Sequence, residues 1–181
     1  MFHLTINIPE KWDEGKEQFI PGKECTLCLE HSLVSLSKWE SKWCKPFITQ
    51  REKTTEEFID YIRCMTITQN VNPEVYNYIT NDDISKVRAY MDAPMTATTF
   101  PDGKKTGGSS GEGTTNETIY CQMIMLNIPR EYEKWHLNRL LTLIRVCSIK
   151  GQKPNKMSQR DIMSQNRALN AARRKQHNTR G

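Results

Sequence analysis

The stretch Cys25-Thr26-Leu27-Cys28-Leu29-Glu30-His31-Ser32-Leu33-Val34-Ser35-Leu36-Ser37-Lys38-Trp39-Glu40-Ser41-Lys42-Trp43 changes its hydrophobic period partway along. In its first part Cys25, Leu27 and Leu29 share one face, with Glu24, Thr26, Cys28 and Glu30 on the other, the period of a half-buried strand. From Ser32 onward Leu33, Leu36, Trp39 and Trp43 recur at helical spacing and form an apolar stripe. A strand with one greasy face running into an amphipathic helix predicts a sheet covered by helices.

The residues upstream supply the rest of the sheet. Phe2, Leu4, Ile6 and Ile8 alternate with His3, Thr5 and Asn7, and Pro9 ends the run. Asp13-Glu14-Gly15-Lys16 carries turn chemistry, and Gln18-Phe19-Ile20 reads as a further short strand stopped by Pro21-Gly22. Downstream the chain turns helical. Thr54-Thr55-Glu56-Glu57 is a capping box, opening a helix whose buried face is Phe58, Tyr61, Ile62 and Met65. Asn72-Pro73-Glu74 starts a short helix through Tyr78. Asn81-Asp82-Asp83 starts another, with Ile84, Val87 and Met91 inward. Thr115-Asn116-Glu117 caps a segment holding Ile119, Tyr120, Met123, Ile124 and Leu126. Leu137, Leu140, Leu141, Ile144 and Cys147 then give the widest stripe, and this helix is expected at the centre of the core.

The expected fold class is therefore α+β, mostly α. A small N-terminal antiparallel β-sheet of about three short strands occupies residues 1–30, and a helical core occupies 31–149. Residues 101–114 are Gly/Ser-rich and read as a mobile loop. Residues 150–181 form a basic C-terminal arm, in which Gly151 and Pro154 mark a hinge. Ala168-Leu169-Asn170-Ala171-Ala172-Arg173-Arg174-Lys175 has high helix propensity, but the apolar face of that helix (Ile162, Met163, Leu169, Ala172) is thin.

Charge is distributed unevenly. From Lys150 to Gly181 nine basic side chains face one acid, Asp161, leaving residues 1–149 at −3 within a whole-chain net of +5. A mildly acidic body with a basic arm implies an acidic partner. The arm could solubilise, bind nucleic acid or dock on protein. No aromatic is interleaved from Lys150 onward, so base stacking lacks a platform, and protein docking is the favoured reading.

Several chemistries find no support in the residues. Hydrophobic residues make up 36% of the chain and mean hydropathy is −0.70, with no run of the roughly twenty apolar residues that span a bilayer. Met1-Phe2-His3-Leu4-Thr5 lacks secretory-signal features, so a soluble cytosolic protein with reduced cysteines is expected. Cys64, Cys121 and Cys147 lie in apolar helical patterns and read as buried thiols. Cys25-x-x-Cys28 with His31 and Cys44 has zinc-ligand residue types, but within a strand the two cysteines point to opposite faces. Gly107-Gly108-Ser109-Ser110-Gly111 lacks phosphate-loop spacing. Only His3, His31, His136 and His177 could serve a catalytic constellation, and His31 and His136 are expected in polar core contacts. The expectation is a non-enzyme without cofactor or metal.

Long strings of the chain resemble proteins encoded in the tail-gene region of tailed bacteriophages and prophages. They are Thr26 through Trp43, Pro94-Met95-Thr96-Ala97-Thr98-Thr99-Phe100, Lys134 through Cys147, and Ala168 through Lys175. Small proteins of this kind look like tail assembly chaperones. The resemblance implies a non-enzymatic protein of the bacterial host cytoplasm that binds the tape-measure protein and/or tail-tube subunits during virion morphogenesis. Alternatives are a minor structural tail or neck component and a nucleic-acid-binding protein using the arm. A homo-oligomer is also compatible. The protein-binding residues expected from the pattern are Trp39, Trp43 and Trp135 as amphipathic anchors, with Arg173, Arg174 and Lys175 as charge contacts. Plain core packing is the alternative for each tryptophan.

Overall fold

The computed structural model describes residues 1–15, 17–50, 52–100, 114–151 and 159–177. Two compact units divide the chain, Met1–Cys147 and Ser148–Gly181. The expected mobile loop at 101–114 lies outside the described residues except for Thr114, and so do residues 152–158 with Pro154 of the expected hinge.

The fold is α+β and mostly helical. Strand β1 (Phe2–Ile8) pairs antiparallel with β4 (Lys23–Leu29), placing Leu4 opposite Leu27 and Ile6 opposite Cys25. Leu4, Ile6, Leu27 and Leu29 are buried on one face, as the alternation requires. Between them β2 (Lys11–Asp13) pairs with β3 (Gln18–Ile20) as a separate two-stranded sheet. Among the described residues the expected sheet of about three short strands consists of four strands in two pairs. Pro9 and Pro21, which donate no backbone hydrogen bond, flank the break between the pairs.

Helix α1 (Leu33–Trp43) starts at Ser32, whose hydroxyl and that of Ser35 cap reciprocally. Helix α2 (Thr55–Met65) opens on the expected box: Thr54 N donates to Glu57 Oε2 at 2.9 Å, and Glu57 N donates to Thr54 Oγ1 at 3.1 Å. A 3₁₀ turn (Pro73–Tyr78) follows, then α3 (Asn81–Asp92), capped by Thr80 and Asp83 one residue ahead of the expected start. Helices α4 (Asn116–Met125) and α5 (Leu137–Gly151) flank a second 3₁₀ turn (Arg130–Lys134), and α6 (Gln159–His177) closes the chain.

The centre of the core is not α5. The large side chains with almost no exposure concentrate in α1 and α2: Leu33, Leu36, Trp39, Tyr61, Ile62 and Met65. Helix α5 buries Leu137, Leu140 and Ile144, but Leu141 and Cys147 stay half-exposed, so only part of its wide stripe is used. Its start is nonetheless fixed, because Leu137 N donates to His31 O at 2.7 Å. This contact also brings His31 and His136 together, their rings 5.2 Å apart. His31 bonds the Tyr61 hydroxyl at 2.7 Å and His136 bonds Tyr90 O at 3.2 Å, the polar core contacts expected of them. Among the described residues no helix is long and apolar enough to cross a membrane.

Candidate protein-interaction surface

After its polar first turn, Asn116-Glu117-Thr118, helix α4 is apolar on almost every side, Gln122 excepted. Ile119 and Met123, four residues apart, point inward and are buried. Ile124 and Met125 are 76% and 75% exposed, and Cys121, expected inside, is exposed as well. An all-round apolar helix ordinarily belongs inside a protein. Here one side of it faces solvent.

Local chemistry holds this helix in place. The buried Glu40 carboxylate at the far end of α1 accepts from Asn116 N and Nδ2 at 2.7 Å and from Phe47 N at 2.8 Å. One side chain thereby ties the start of α4 to the end of α1, and charge-assisted bonds of this kind are among the stronger ones. The far end of α4 closes in a Schellman turn. Asn127 adopts φ 52°, Asn127 N donates to Ile124 O at 3.1 Å, and Ile128 N donates to Met123 O at 2.8 Å. That turn returns Ile128 beside Met123. Tyr120, Met123, Ile124, Ile128 and Arg130 line the resulting groove of about 390 Å³.

The 3₁₀ turn after Pro129 makes the polar rim. Glu133 Oε2 accepts from the Tyr120 hydroxyl at 3.0 Å and from Arg130 Nε at 3.3 Å. Burial, with Glu133 beside it, pushes the Tyr120 phenol up to about 12, so it stays a proton donor at neutral pH. Beyond Glu133, Tyr132 and Trp135 stack at 4.3 Å and the Arg139 guanidinium sits 3.9 Å from the Trp135 ring. The groove itself sets Met123 beside Ile124 and Ile128, and a methionine adapts to varied apolar partners.

The tryptophans expected from the sequence separate by burial. Trp39 is fully buried, donates from Nε1 to Glu57 O at 2.9 Å and meets Phe47 edge-on at 5.0 Å. In this conformation it is core and offers a partner no surface, because its place on the stripe faces α2. Trp43, one turn later, is half-buried, and its Nε1 donates to Asp60 Oδ2 at 2.8 Å. Lys42 Nζ takes the other oxygen at 2.6 Å. Trp135 is also half-buried and caps the 3₁₀ turn of the rim, its backbone N donating to Tyr132 O at 3.0 Å. Arg173 and Arg174 are exposed on α6, which also contains Lys175. The groove on α4 went unread in the sequence, although Ile119 through Leu126 is interrupted by a single polar residue, Gln122.

Cys25 and Cys28 both lie on β4, an odd number of residues apart. Among the described residues no three His, Cys, Asp or Glu side chains gather as a metal site would require. No protein-family model, curated protein or solved structure matches the chain.

Proposed function

We propose that this chain is a non-catalytic tail assembly chaperone of a tailed bacteriophage. It holds an amphipathic helical segment of the tape-measure protein, and/or tail-tube subunits, in the host cytoplasm during tail assembly. The resemblance of its long strings to tail-region proteins suggests the setting. The observation that carries the binding role is the outward face of α4, where Ile124 and Met125 stand three-quarters exposed beside the 390 Å³ groove. Exposed apolar surface of this kind marks docking sites, and a helix laying an apolar stripe into a groove is a recurrent recognition mode. Arg130 lines the groove and is exposed, so a partner stripe with an acid beside its apolar residues meets a cation at this rim.

Co-expression with the tape-measure protein tests the reading. The native chain keeps the partner soluble and co-purifies with it, whereas Ile124→Ser/Met125→Ser loses the complex. Failure of the native chain to bind or solubilise the partner contradicts the proposal. Mass spectrometry of finished particles separates it from a structural tail component, since a chaperone is absent there.

A further inference from the structure

A second depression shares no lining residue with the α4 groove and does not depend on the partner-binding reading of it. Its volume of about 440 Å³ falls in the range of small-molecule sites, and its lining belongs wholly to the unit Met1–Cys147. Val34 of α1, Cys64 and Met65 at the end of α2, and Ile67 just beyond supply its apolar wall. Met65 is buried, Val34 and Cys64 are half-buried, and Ile67 is 48% exposed. Burial, and Asp60 after it, push the Cys64 thiol up, so at neutral pH it is an uncharged part of that wall. None of the lining residues is aromatic, so the wall suits an aliphatic chain and gives a planar ligand no ring to stack on.

The polar side chains of the lining fall into two groups, bonded and unbonded. Ser32 and Ser35 are engaged with each other in the cap of α1. Thr66 Oγ1 donates to Ile62 O at 2.8 Å and accepts from the Tyr76 hydroxyl at 2.9 Å. Glu30, the one acid, accepts from the Tyr90 hydroxyl at 2.8 Å and pairs with the Met1 amino group at 3.0 Å. Lys38 and Lys134 differ. Both are exposed, and among the described residues neither ammonium has a carboxylate or a hydrogen-bond partner. One comes from α1 and the other from the 3₁₀ turn before α5, yet both line the same depression.

We propose that this depression binds a single-chain anionic amphiphile, a fatty carboxylate. Its acyl chain lies along Val34, Cys64, Met65 and Ile67, and its carboxylate is held by Lys38 and Lys134. Charge complementarity selects this occupant: two uncommitted ammonium groups favour an anionic end, and the aliphatic wall takes the chain. A peptide strand would bring amides for which the bonded Ser32, Ser35 and Thr66 offer no partner.

Titration of octanoate into the full chain, followed by methyl NMR, tests this. The Met65 and Ile67 methyl resonances shift with one shared affinity, while those of Met123, Ile124 and Ile128 in the α4 groove stay in place. Hexanoate binds about tenfold more weakly, because two fewer methylenes are buried. Octyltrimethylammonium, with the same chain and the opposite charge, is also weaker by about tenfold. Lys38→Gln/Lys134→Gln loses octanoate affinity by about tenfold. Its urea midpoint matches that of the native chain, since both side chains are exposed and unpaired. Shifts confined to the α4 groove, or none at all, overturn the proposal. So does an octanoate affinity that either the head-group charge or the two lysines fails to change.

Discussion

Helices α2 and α4 are almost the same length and each has a threonine N-cap, yet they use their apolar residues differently. Helix α2 turns Phe58, Tyr61, Ile62 and Met65 inward and leaves Glu56 and Arg63 outside. Helix α4 turns Ile119 and Met123 inward but also shows Ile124, Met125 and Cys121 to solvent. The first keeps its large apolar side chains on one covered face, with the buried Glu57 and Asp60 each paired to a lysine, and reports on the fold. The second departs from that pattern, and departures from local consistency tend to fall at functional sites. The same contrast holds between Trp39, sealed under α2, and Trp135, stacked at the surface between Tyr132 and Arg139.

Substitutions on the sealed side should cost most. Trp39→Ala empties the core and leaves Glu57 O without its indole donor, so a loss of about 3–5 kcal/mol is expected in urea unfolding. Leu140→Ala, at a fully buried position of α5, should cost about 2–5 kcal/mol. Leu141→Ala, at a half-buried one, should cost clearly less; equal losses would put both residues in the core.

Acid probes the same side through His31 and His136. Burial, with His136 close by, lowers His31 from 6.5 to about 3, and burial also lowers His136. The unfolded chain therefore binds protons that the native one refuses as pH falls below about 6.5, and stability drops across that window. His31 alone accounts for on the order of 2 kcal/mol at about pH 5. Urea midpoints measured from pH 7 downward should fall, and His31→Gln should flatten the slope. On the open side Ile124→Ser/Met125→Ser should leave stability within about 0.5 kcal/mol, since little burial is lost. A large loss there would mean that α4 is core after all.

Much of α1 and α2 was legible because packing and pattern agree: the stripe at Leu33, Leu36 and Trp39, and the box at Thr54 and Glu57, appear where the spacing puts them. Strand β2 was not legible, since three residues between Pro9 and the turn give no period to read. The meeting of His31 and His136 is a tertiary event between distant segments, and neither local pattern announces it. Trp39 and Trp43 sit one turn apart on the same stripe, so only the packing of α2 and Phe47 decides which is sealed. The α4 surface did leave a signal, an almost unbroken apolar run too wide for one buried face. Hydrophobicity alone, however, does not say which side of such a run is covered.

The most direct test of the partner-binding face is amide hydrogen exchange of the full chain with and without the tape-measure protein. Slowed exchange centred on residues 116–135 is the result expected if α4 and the turn after it hold the partner. Binding that protects other segments while α4 exchanges as before would contradict the account.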